Sequence, residues 1–354
     1  MTEESATGRF LVLAAAICAA ASTTAGLATA SAAALPALPA GMGALSAAVL
    51  DADGLHRLAA VPWRSGSYLT TSGTVDVSVS PAYGGDPGTA QRWADFFSSL
   101  VHGPELAVLN AYIAPLAEVA EICRDDALGC YGANHLVTMG EDNFGVAAES
   151  VAAHEYGHHV AGNRLNAPWA AIDWGTKRWA TDVGVCSRVA SGMAFPGAED
   201  SNYSLNPGEA FAESYRVLVE TNGSAVGDDW ELVDPSFRPD ARALEAVRED
   251  VLDPWSGPKT WKLSGKFLRR SRTWSVSLAT PLDGDLRIRL ALPRTGGDDV
   301  QLFSSDGRTR LASSSWDASG GKTVEYRVCG TRSVKVRVSR GGAASRFSLR
   351  VTAP

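Results

Sequence analysis

The C-terminal part of the chain alternates apolar and polar side chains, which is the two-residue period of half-buried β-strands. The clearest runs are residues 286–292, 334–338 and 347–351. Asp283-Gly284 and Asp306-Gly307 are dipeptides typical of tight turns between such strands. We therefore predict that residues 256–354 form an all-β sandwich, which a proline- and glycine-containing linker near residues 253–258 joins to the preceding part.

The part before this linker mixes helical and strand periods, so an α+β fold is predicted for residues 33–255. Strands are predicted over residues 74–80 and 136–139, and helices over residues 89–101, 105–122 and 146–161. The helix over residues 146–161 ends before Gly162, a natural C-terminal stop, and it carries the most informative sequence of the chain.

That sequence is His154-Glu155-Tyr156-Gly157-His158. Residues four apart lie on one face of a helix, so His154 and His158 can bind the same metal ion, with Glu155 beside it as a general base. Zinc acidifies a bound water and polarises a carbonyl, so the combination indicates a zinc hydrolase. The alternative is a core helix whose histidines are satisfied by hydrogen bonds. His159 points about 100° away from His158 on a helix, and we expect it beside the site or at the surface.

A catalytic zinc site needs a third protein ligand, and no histidine follows His159. The ligand must therefore be a carboxylate or, less favourably, a thiolate. Asn206-Pro207 predicts the start of a helix on which Glu209 and Glu213 share a face. Glu209 could instead close a capping box with Asn206. That alternative does not explain why a second negative charge, Glu213, follows four residues later, where like charges destabilise a helix slightly. We predict Glu209 as the third ligand and Glu213 as a carboxylate that orients a ligating histidine. Glu199 and Asp200 are the next carboxylates to consider.

Together the two motifs resemble the gluzincin clan of zinc metallopeptidases, and the segment from Asn202 to Glu213 is similar to the catalytic core of anthrax lethal factor-like peptidases. The resemblance implies a zincin-like domain that binds one zinc ion and uses a general base. In this sequence the implied ligands are His154, His158 and Glu209, and the implied base is Glu155.

The resemblance also implies a tyrosine that stabilises the oxyanion. Tyr203 lies one residue closer to Glu209 than in that family, and Tyr215 competes with it for the role. The segment between the two glutamates carries one aromatic residue, Phe211, where the family often has two. In this class an edge strand just before the active-site helix lines the cleft, and residues 136–139 are predicted to be that strand.

The predicted sandwich is similar to the bacterial pre-peptidase C-terminal domain, on residues 298–302 and 347–351. Domains of that family accompany secreted peptidases. The similarity therefore implies an exported enzyme.

The N-terminus agrees with export. Arg9 precedes an apolar run over residues 10–21, and small residues follow it, so residues 1–32 are predicted to be a signal peptide. An uncleaved signal anchor over residues 10–30 is the alternative.

Removal of Cys18 with the signal leaves four cysteines, an even number typical of disulfide-bonded exported proteins. Four cysteines allow three connectivities. Cys123 and Cys130 are the easiest pair to close, which leaves Cys186 to pair with Cys329. The alternative is a pair of free thiols.

Charge also divides the 354-residue chain. Residues 258–354 hold 19 Lys and Arg against 7 Asp and Glu, whereas the remaining residues hold 13 against 32. Such asymmetry indicates separate domains with different partners. The basic part could meet an anionic cell-wall polymer or the acidic catalytic part itself, although an ordinary solvated face is the more common explanation. Nucleic acid is not expected as a partner, because the basic residues are not interleaved with an aromatic stacking platform.

The sequence thus predicts a secreted zinc metalloendopeptidase that acts on a protein or peptide substrate. The alternatives are a catalytically silent cell-surface binding protein and an amidase acting on cell-wall peptide. Retention of Glu155 favours an enzyme, because a zinc site with only a structural role has no need of a base.

Overall fold

The computed structural model describes residues 46–124, 127–143, 145–199, 201–223, 233–268, 270–291, 297–317, 320–341 and 346–354. The predicted signal peptide, residues 1–32, lies outside the described residues. Among the residues that are described, no helix combines the length and apolar character that a membrane span requires. The described residues belong to one compact unit, Gly43–Pro354, and they build two apolar cores.

The first core lies between a six-stranded sheet and the helices packed on it. The strand order is β1-β5-β6-β4-β3-β2. The strands are β1 (Ser46–Val49), β2 (Arg64–Thr70), β3 (Gly73–Val79), β4 (Asn110–Ala114), β5 (Ala127–Gly132) and β6 (His135–Met139). Pairing is parallel for β1 with β5, β3 with β4 and β4 with β6, and it is antiparallel for β2 with β3 and β5 with β6.

The helices of this part are α1 (Ala52–Ala60), α2 (Pro87–Ser99), α3 (Leu116–Ile122), α4 (Ala148–Gly162), α5 (Ala171–Trp174), α6 (Lys177–Asp182), α7 (Val185–Ala190), α8 (Pro207–Glu220) and α9 (Ala241–Leu252). Single 3-10 turns lie at Pro81–Tyr83, Pro104–Val108, Tyr203–Leu205 and Pro235–Phe237. A small hairpin, β7 (Leu165–Asn166) with β8 (Trp169–Ala170), follows α4.

Helix α4 confirms the prediction for residues 146–161, but it is buried on nearly every side rather than on one face. It lies between the sheet and α8. Gly157 permits this, because a Cβ at that position would lie 2.7 Å from the Cα of Ala212 on α8. A glycine that weakens an isolated helix therefore allows two helices to approach closely here.

The prediction of one helix over residues 105–122 is wrong. A 3-10 turn, strand β4 and helix α3 occupy this range. Pro115 disfavours a helical conformation for the residue before it. Tyr112 and Ile113 are good strand formers, and their strand pairs with both β3 and β6.

Strand β6 confirms the strand predicted over residues 136–139, but it is not an edge strand. It lies between β5 and β4 in the sheet. Strand β5, which the sequence pattern did not reveal, is the strand that runs antiparallel beside it. Ala133 and Asn134 adopt positive φ angles of 48° and 67° in the turn between them, as hairpin turns of this tightness require.

The C-terminal part is rich in β-structure, as predicted. Its strands are β9 (Lys259–Lys266), β10 (Thr273–Thr280), β11 (Gly284–Ala291), β12 (Asp299–Ser304), β13 (Arg310–Ser313), β14 (Ser315–Trp316), β15 (Lys322–Val328), β16 (Arg332–Ser339) and β17 (Arg346–Ala353). They form a sheet of order β10-β16-β12-β13 and a sheet of order β14-β15-β11-β17-β9. The apolar faces of both sheets contribute to the second core.

The two predicted disulfide pairings are confirmed. Cys123 bonds to Cys130, and Cys186 on α7 bonds to Cys329 after β15. The second bond ties the helical part to the C-terminal sheets. Beside it, the Asp283 backbone N–H donates to the Thr181 hydroxyl at 3.0 Å. The β-rich part is therefore held to the first core by more than the segment between α9 and β9.

We predict that replacing Cys186 and Cys329 together by alanine lowers the free energy of unfolding by about 5 kcal/mol, because the disulfide closes a long loop. The matched control is the Cys123 and Cys130 double replacement, whose short loop predicts a loss of about 2.5 kcal/mol. The two sequence separations are 143 and 7 residues. Urea unfolding of both variants checks the order, and a larger loss for the short loop would contradict it.

Candidate metal centre

Helix α4 brings His154 and His158 onto one face, as their spacing requires. Their ring centres lie 5.0 Å apart. Each Nε2 atom lies 3.3 Å from the same atom, Glu209 Oε2. The three side chains are 3%, 7% and 3% exposed, so the two nitrogens and the carboxylate converge in a place that water hardly reaches.

Glu209 comes from the first turn of α8. Asn206 caps this helix by accepting a hydrogen bond from Gly208 N at 3.0 Å, and Pro207 is its first residue. The Asn206 N–H donates to Tyr203 O at 2.9 Å, so it is not occupied by Glu209. The carboxylate of Glu209 is therefore directed at the histidines, and the capping box weighed as an alternative is not formed.

Glu213 lies one turn further along α8 and contacts the other side of His154. Its Oε2 lies 3.1 Å from His154 Nδ1. Arg216 donates to Glu213 at 2.5 and 3.0 Å and to Glu220 at 2.5 Å. The like charges of Glu209 and Glu213 are thus separated by a histidine and balanced by an arginine. The sequence motif does not include Arg216, although its i+3 spacing from Glu213 is a readable signal.

The two tyrosines left open by the sequence lie in different places. The Tyr203 hydroxyl donates to Glu209 Oε2 at 2.7 Å. The Tyr215 hydroxyl instead donates to Val101 O at 2.6 Å, inside the first core. Only Tyr203 of this pair contacts the cluster.

Glu155 is 1% exposed and lies between α4 and strand β5. A Cβ on Gly129 of β5 would lie 2.8 Å from Glu155 Oε1, so no larger residue fits opposite this carboxylate. Within the described part of the chain, Glu155 Oε2 has no hydrogen-bond partner. A buried carboxylate oxygen without a protein partner is suited to a small ligand or a proton.

His159 is not beside the cluster or at the surface, which corrects the expectation for it. It is fully buried, and its ring nitrogens lie 2.9 Å from Glu105 O and 3.3 Å from the Tyr131 hydroxyl. Because it projects from the opposite side of α4, it packs in the core between that helix and the sheet.

Glu199, the other carboxylate considered, borders the cluster without joining it. Its Oε2 forms an ion pair with Arg124 Nη2 at 2.9 Å. Burial raises the pKa of Glu199 to about 7, and the charge of Glu209 adds to the rise. A shallow cavity of about 660 Å³ lies beside it, with an apolar wall that includes Val189 and Phe195. Asp200 lies outside the described residues.

Proton equilibria in the cluster follow from burial and charge. Burial lowers the pKa of His154, but hydrogen bonds to Glu209 and Glu213 outweigh it and raise the value to about 10. Burial raises the pKa of Glu209, but the charges and hydrogen bonds of His158 and His154 outweigh it and lower the value. Burial raises the pKa of Glu155 to about 8. Without a bound metal, the cluster therefore holds a proton on His154 at neutral pH.

These residues fit a divalent metal ion. Among the described residues, His154, His158 and Glu209 form a group whose ligand atoms all lie within 4.8 Å of one another. Two imidazole nitrogens and one carboxylate oxygen are donors that zinc and other first-row divalent ions accept. Glu213 occupies Nδ1 of His154, which leaves Nε2 to face the other ligands. The cluster could therefore bind a metal ion, and the donor set by itself does not decide which one.

No protein-family model matches the chain, and no curated protein is similar to it in sequence. Among solved structures, the pre-peptidase C-terminal domain of a collagenase from Bacillus anthracis covers 26% of this chain and 86% of its own, with 10% identity and a TM-score of 0.22. A structure of infectious bursal disease virus, Gx strain, covers 27% of this chain and 31% of its own, with 16% identity and a TM-score of 0.14. Both TM-scores lie below 0.5, so neither likeness bears on fold or function.

We predict that metal binding displaces the proton from His154. Zinc titrated into the metal-free Glu155→Gln variant at about pH 7.5 should release about one proton per ion, because the pKa of His154 is raised to about 10. Calorimetry in two buffers of different ionisation enthalpy measures the release. The same raised pKa stabilises the metal-free fold below a pH of about 6.5, and this contribution is lost as pH rises through about 10.

The control is Glu213→Gln in the same background. It removes one of the two carboxylates that hold the proton, so it should release less and bind zinc about 10- to 100-fold more weakly. Zinc binding to the Glu155→Gln variant with no proton release would contradict the assignment of the proton to His154.

Proposed function

We propose that this protein is an exported zinc-dependent metalloendopeptidase with a gluzincin-like core. The proposal rests on the convergence of His154, His158 and Glu209. It also rests on Glu155, a carboxylate that directly follows His154 on helix α4. A purely structural metal site has no need of a buried carboxylate beside it. A hydrolytic site requires one.

In this proposal His154 and His158 would hold zinc through Nε2, and Glu209 would hold it through its carboxylate. When bound, zinc would supply a Lewis acid that polarises the scissile carbonyl and acidifies the attacking water. Glu213 and Arg216 hold the ring of His154 in place from its Nδ1 side. This support keeps the ligand geometry fixed while the substrate enters.

Glu155 is the proposed general base. Its buried carboxylate has a pKa raised to about 8 without a metal, and the positive charge of a bound cation would lower that value. Ionised, it accepts the proton of the attacking water. It then donates this proton to the amine of the departing peptide product.

Tyr203 is the proposed oxyanion donor. In the metal-free protein its hydroxyl donates to Glu209. With Glu209 engaged as a metal ligand, the Tyr203 hydroxyl would donate instead to the substrate carbonyl oxygen as negative charge develops there. Tyr203 is the first residue of the 3-10 turn that leads into the α8 cap.

The two disulfides support the exported location, because disulfides persist in oxidising compartments. The basic surface of the β-rich part suits contact with an anionic cell-wall polymer, and we keep this as part of the proposal.

We predict that Glu155→Gln abolishes hydrolysis while retaining zinc. Hydrolysis of fluorescein-labelled casein should fall about 10²- to 10⁴-fold, because the amide cannot accept the proton of the water. Metal analysis should find one zinc per chain in wild type and in Glu155→Gln, and little in Glu209→Ala. Undiminished hydrolysis by Glu155→Gln with full zinc would refute the mechanism.

Wild-type protein with full zinc but no casein hydrolysis would point to one of the two alternatives. Release of peptide from purified cell wall would then identify the amidase. Absence of that activity as well would identify a binding protein.

We also predict that Tyr203→Phe lowers kcat by about 10- to 10³-fold with little change in KM, because the lost hydrogen bond acts on charge that develops only in the transition state. Tyr215→Phe is the matched control. It removes a hydroxyl that bonds to Val101 O in the core, so it should cost about 1–3 kcal/mol of stability and leave kcat unchanged. The reverse pattern would assign the oxyanion role to Tyr215.

A further inference from the structure

Strand β1 lies on the outer edge of β5, where it pairs in parallel over Ser46–Val49. Ser46 is opposite Ala127, and Ala48 is opposite Cys130. Three steps along β5 therefore match two steps along β1, so the extra residue of β5 falls between Ala127 and Cys130. Bulges of this kind are frequent beside active sites.

The bulged stretch of β5 is the backbone beside the proposed base. It contains Gly129, whose lack of a side chain makes room for the carboxylate of Glu155. The face of β5 at this position is turned to α4. Its outer hydrogen-bonding edge is turned to β1, so Gly129, which faces Glu155, lies within the stretch of β5 that pairs with β1.

The edge of a sheet presents a row of N–H and C=O groups that an extended peptide can pair with. At β5 this row lies next to a general base that is only 1% exposed. A polypeptide substrate that adds to the sheet here would place its own backbone against the catalytic groups. Strand β1 already uses these hydrogen bonds.

The proposed peptidase function implies that a peptide substrate pairs with the outer edge of β5. Resting on that function, we propose that Ser46–Val49 occupy this substrate edge in the chain itself. The segment thus acts as an intramolecular competitor that an incoming peptide must displace.

The occupant is anchored at its C-terminal end. Leu50 is 4% exposed, its N–H donates to Tyr131 O at 3.0 Å, and Asp51 caps helix α1. Val49 in contrast is 51% exposed, and the strand is four residues long. A tethered segment has a high effective concentration, but a strand with so few ladder bonds is displaceable. Removal of its pairing should therefore raise activity rather than unfold the protein.

The alternating directions of the backbone N–H groups along β1 provide a matched pair of proline variants, both made in the full chain. The Leu50 N–H faces β5, and N–H directions alternate along a strand, so the N–H of Ala48 also faces β5 and that of Ala47 faces away. Ala48→Pro removes a ladder donor, whereas Ala47→Pro introduces the same ring without removing one. Ala48→Pro should raise kcat/KM for labelled casein about tenfold, from the loss of one or two ladder bonds. Ala47→Pro should match wild type.

A binding measurement keeps this inference separate from the proposed function. In the Glu155→Gln background, a fluorescein-labelled peptide with the sequence of residues 43–50 should bind the Ala48→Pro variant and not the Ala47→Pro variant. If no variant hydrolyses casein but this difference in binding appears, the peptidase function fails and the occupied edge stands.

If wild type hydrolyses casein, but the Ala48→Pro and Ala47→Pro variants have equal rates and equal peptide binding, the inference is overturned and the peptidase function stands. Zinc content and thermal unfolding verify that each variant is folded. If Ala48→Pro does not fold, Ala48→Gly is the second variant, because it keeps the N–H and only lowers strand propensity. It should give a smaller rise in rate, and a rate equal to wild type would overturn the inference.

Discussion

The close packing of α4 against α8 is the contact on which the site depends. The first helix supplies two imidazoles and the second supplies a carboxylate from a position 51 residues further along the chain than His158. Gly157 lets the helix axes approach until backbone meets backbone at Ala212. A side chain at Gly157 would separate the helices, and the three ligand atoms would no longer converge within one coordination shell.

This packing removes several charges from water, so each must be compensated. Three carboxylates, Glu155, Glu209 and Glu213, are each no more than 3% exposed. Arg216 balances Glu213, and the proton on His154 balances Glu209. The remaining carboxylate is Glu155, and burial raises its pKa to about 8. A divalent cation would replace the proton on His154 and supply one further positive charge. Together with Arg216, a divalent cation would therefore balance all three carboxylates once Glu155 is ionised.

The sheet closes the opposite side of the site. Strand β5 lies over Glu155 at Gly129, and the Cys123–Cys130 disulfide fixes the turn that leads into this strand. The Arg124–Glu199 ion pair joins that turn to the loop before α8. Strand pairing and one partly exposed ion pair thus border the proposed base, and neither involves the candidate metal ligands.

The local sequence was sufficient to predict secondary structure and side-chain placement wherever residue types repeat with the period of a single helix or strand. The helix carrying His154 and His158, the helix start at Asn206-Pro207, the alternating strands of the C-terminal part and the pairing of four cysteines were all readable from spacing. Spacing failed over residues 105–122, where strand pairing with β3 and β6 overrode an apparently helical run. It also failed for His159, because the sheet covers the side of α4 that an isolated helix would expose.

The sequence by itself therefore determined which residue types can do chemistry and on which helical face they lie. Only the tertiary structure decided that Tyr203 rather than Tyr215 contacts Glu209, that Arg216 balances Glu213, and that the edge of β5 is occupied by the chain's own Ser46–Val49. The physical reason is the range of the interactions. Periodicity and capping act over a few neighbouring residues, whereas partners in a buried cluster or a sheet are set by packing between segments far apart in the chain.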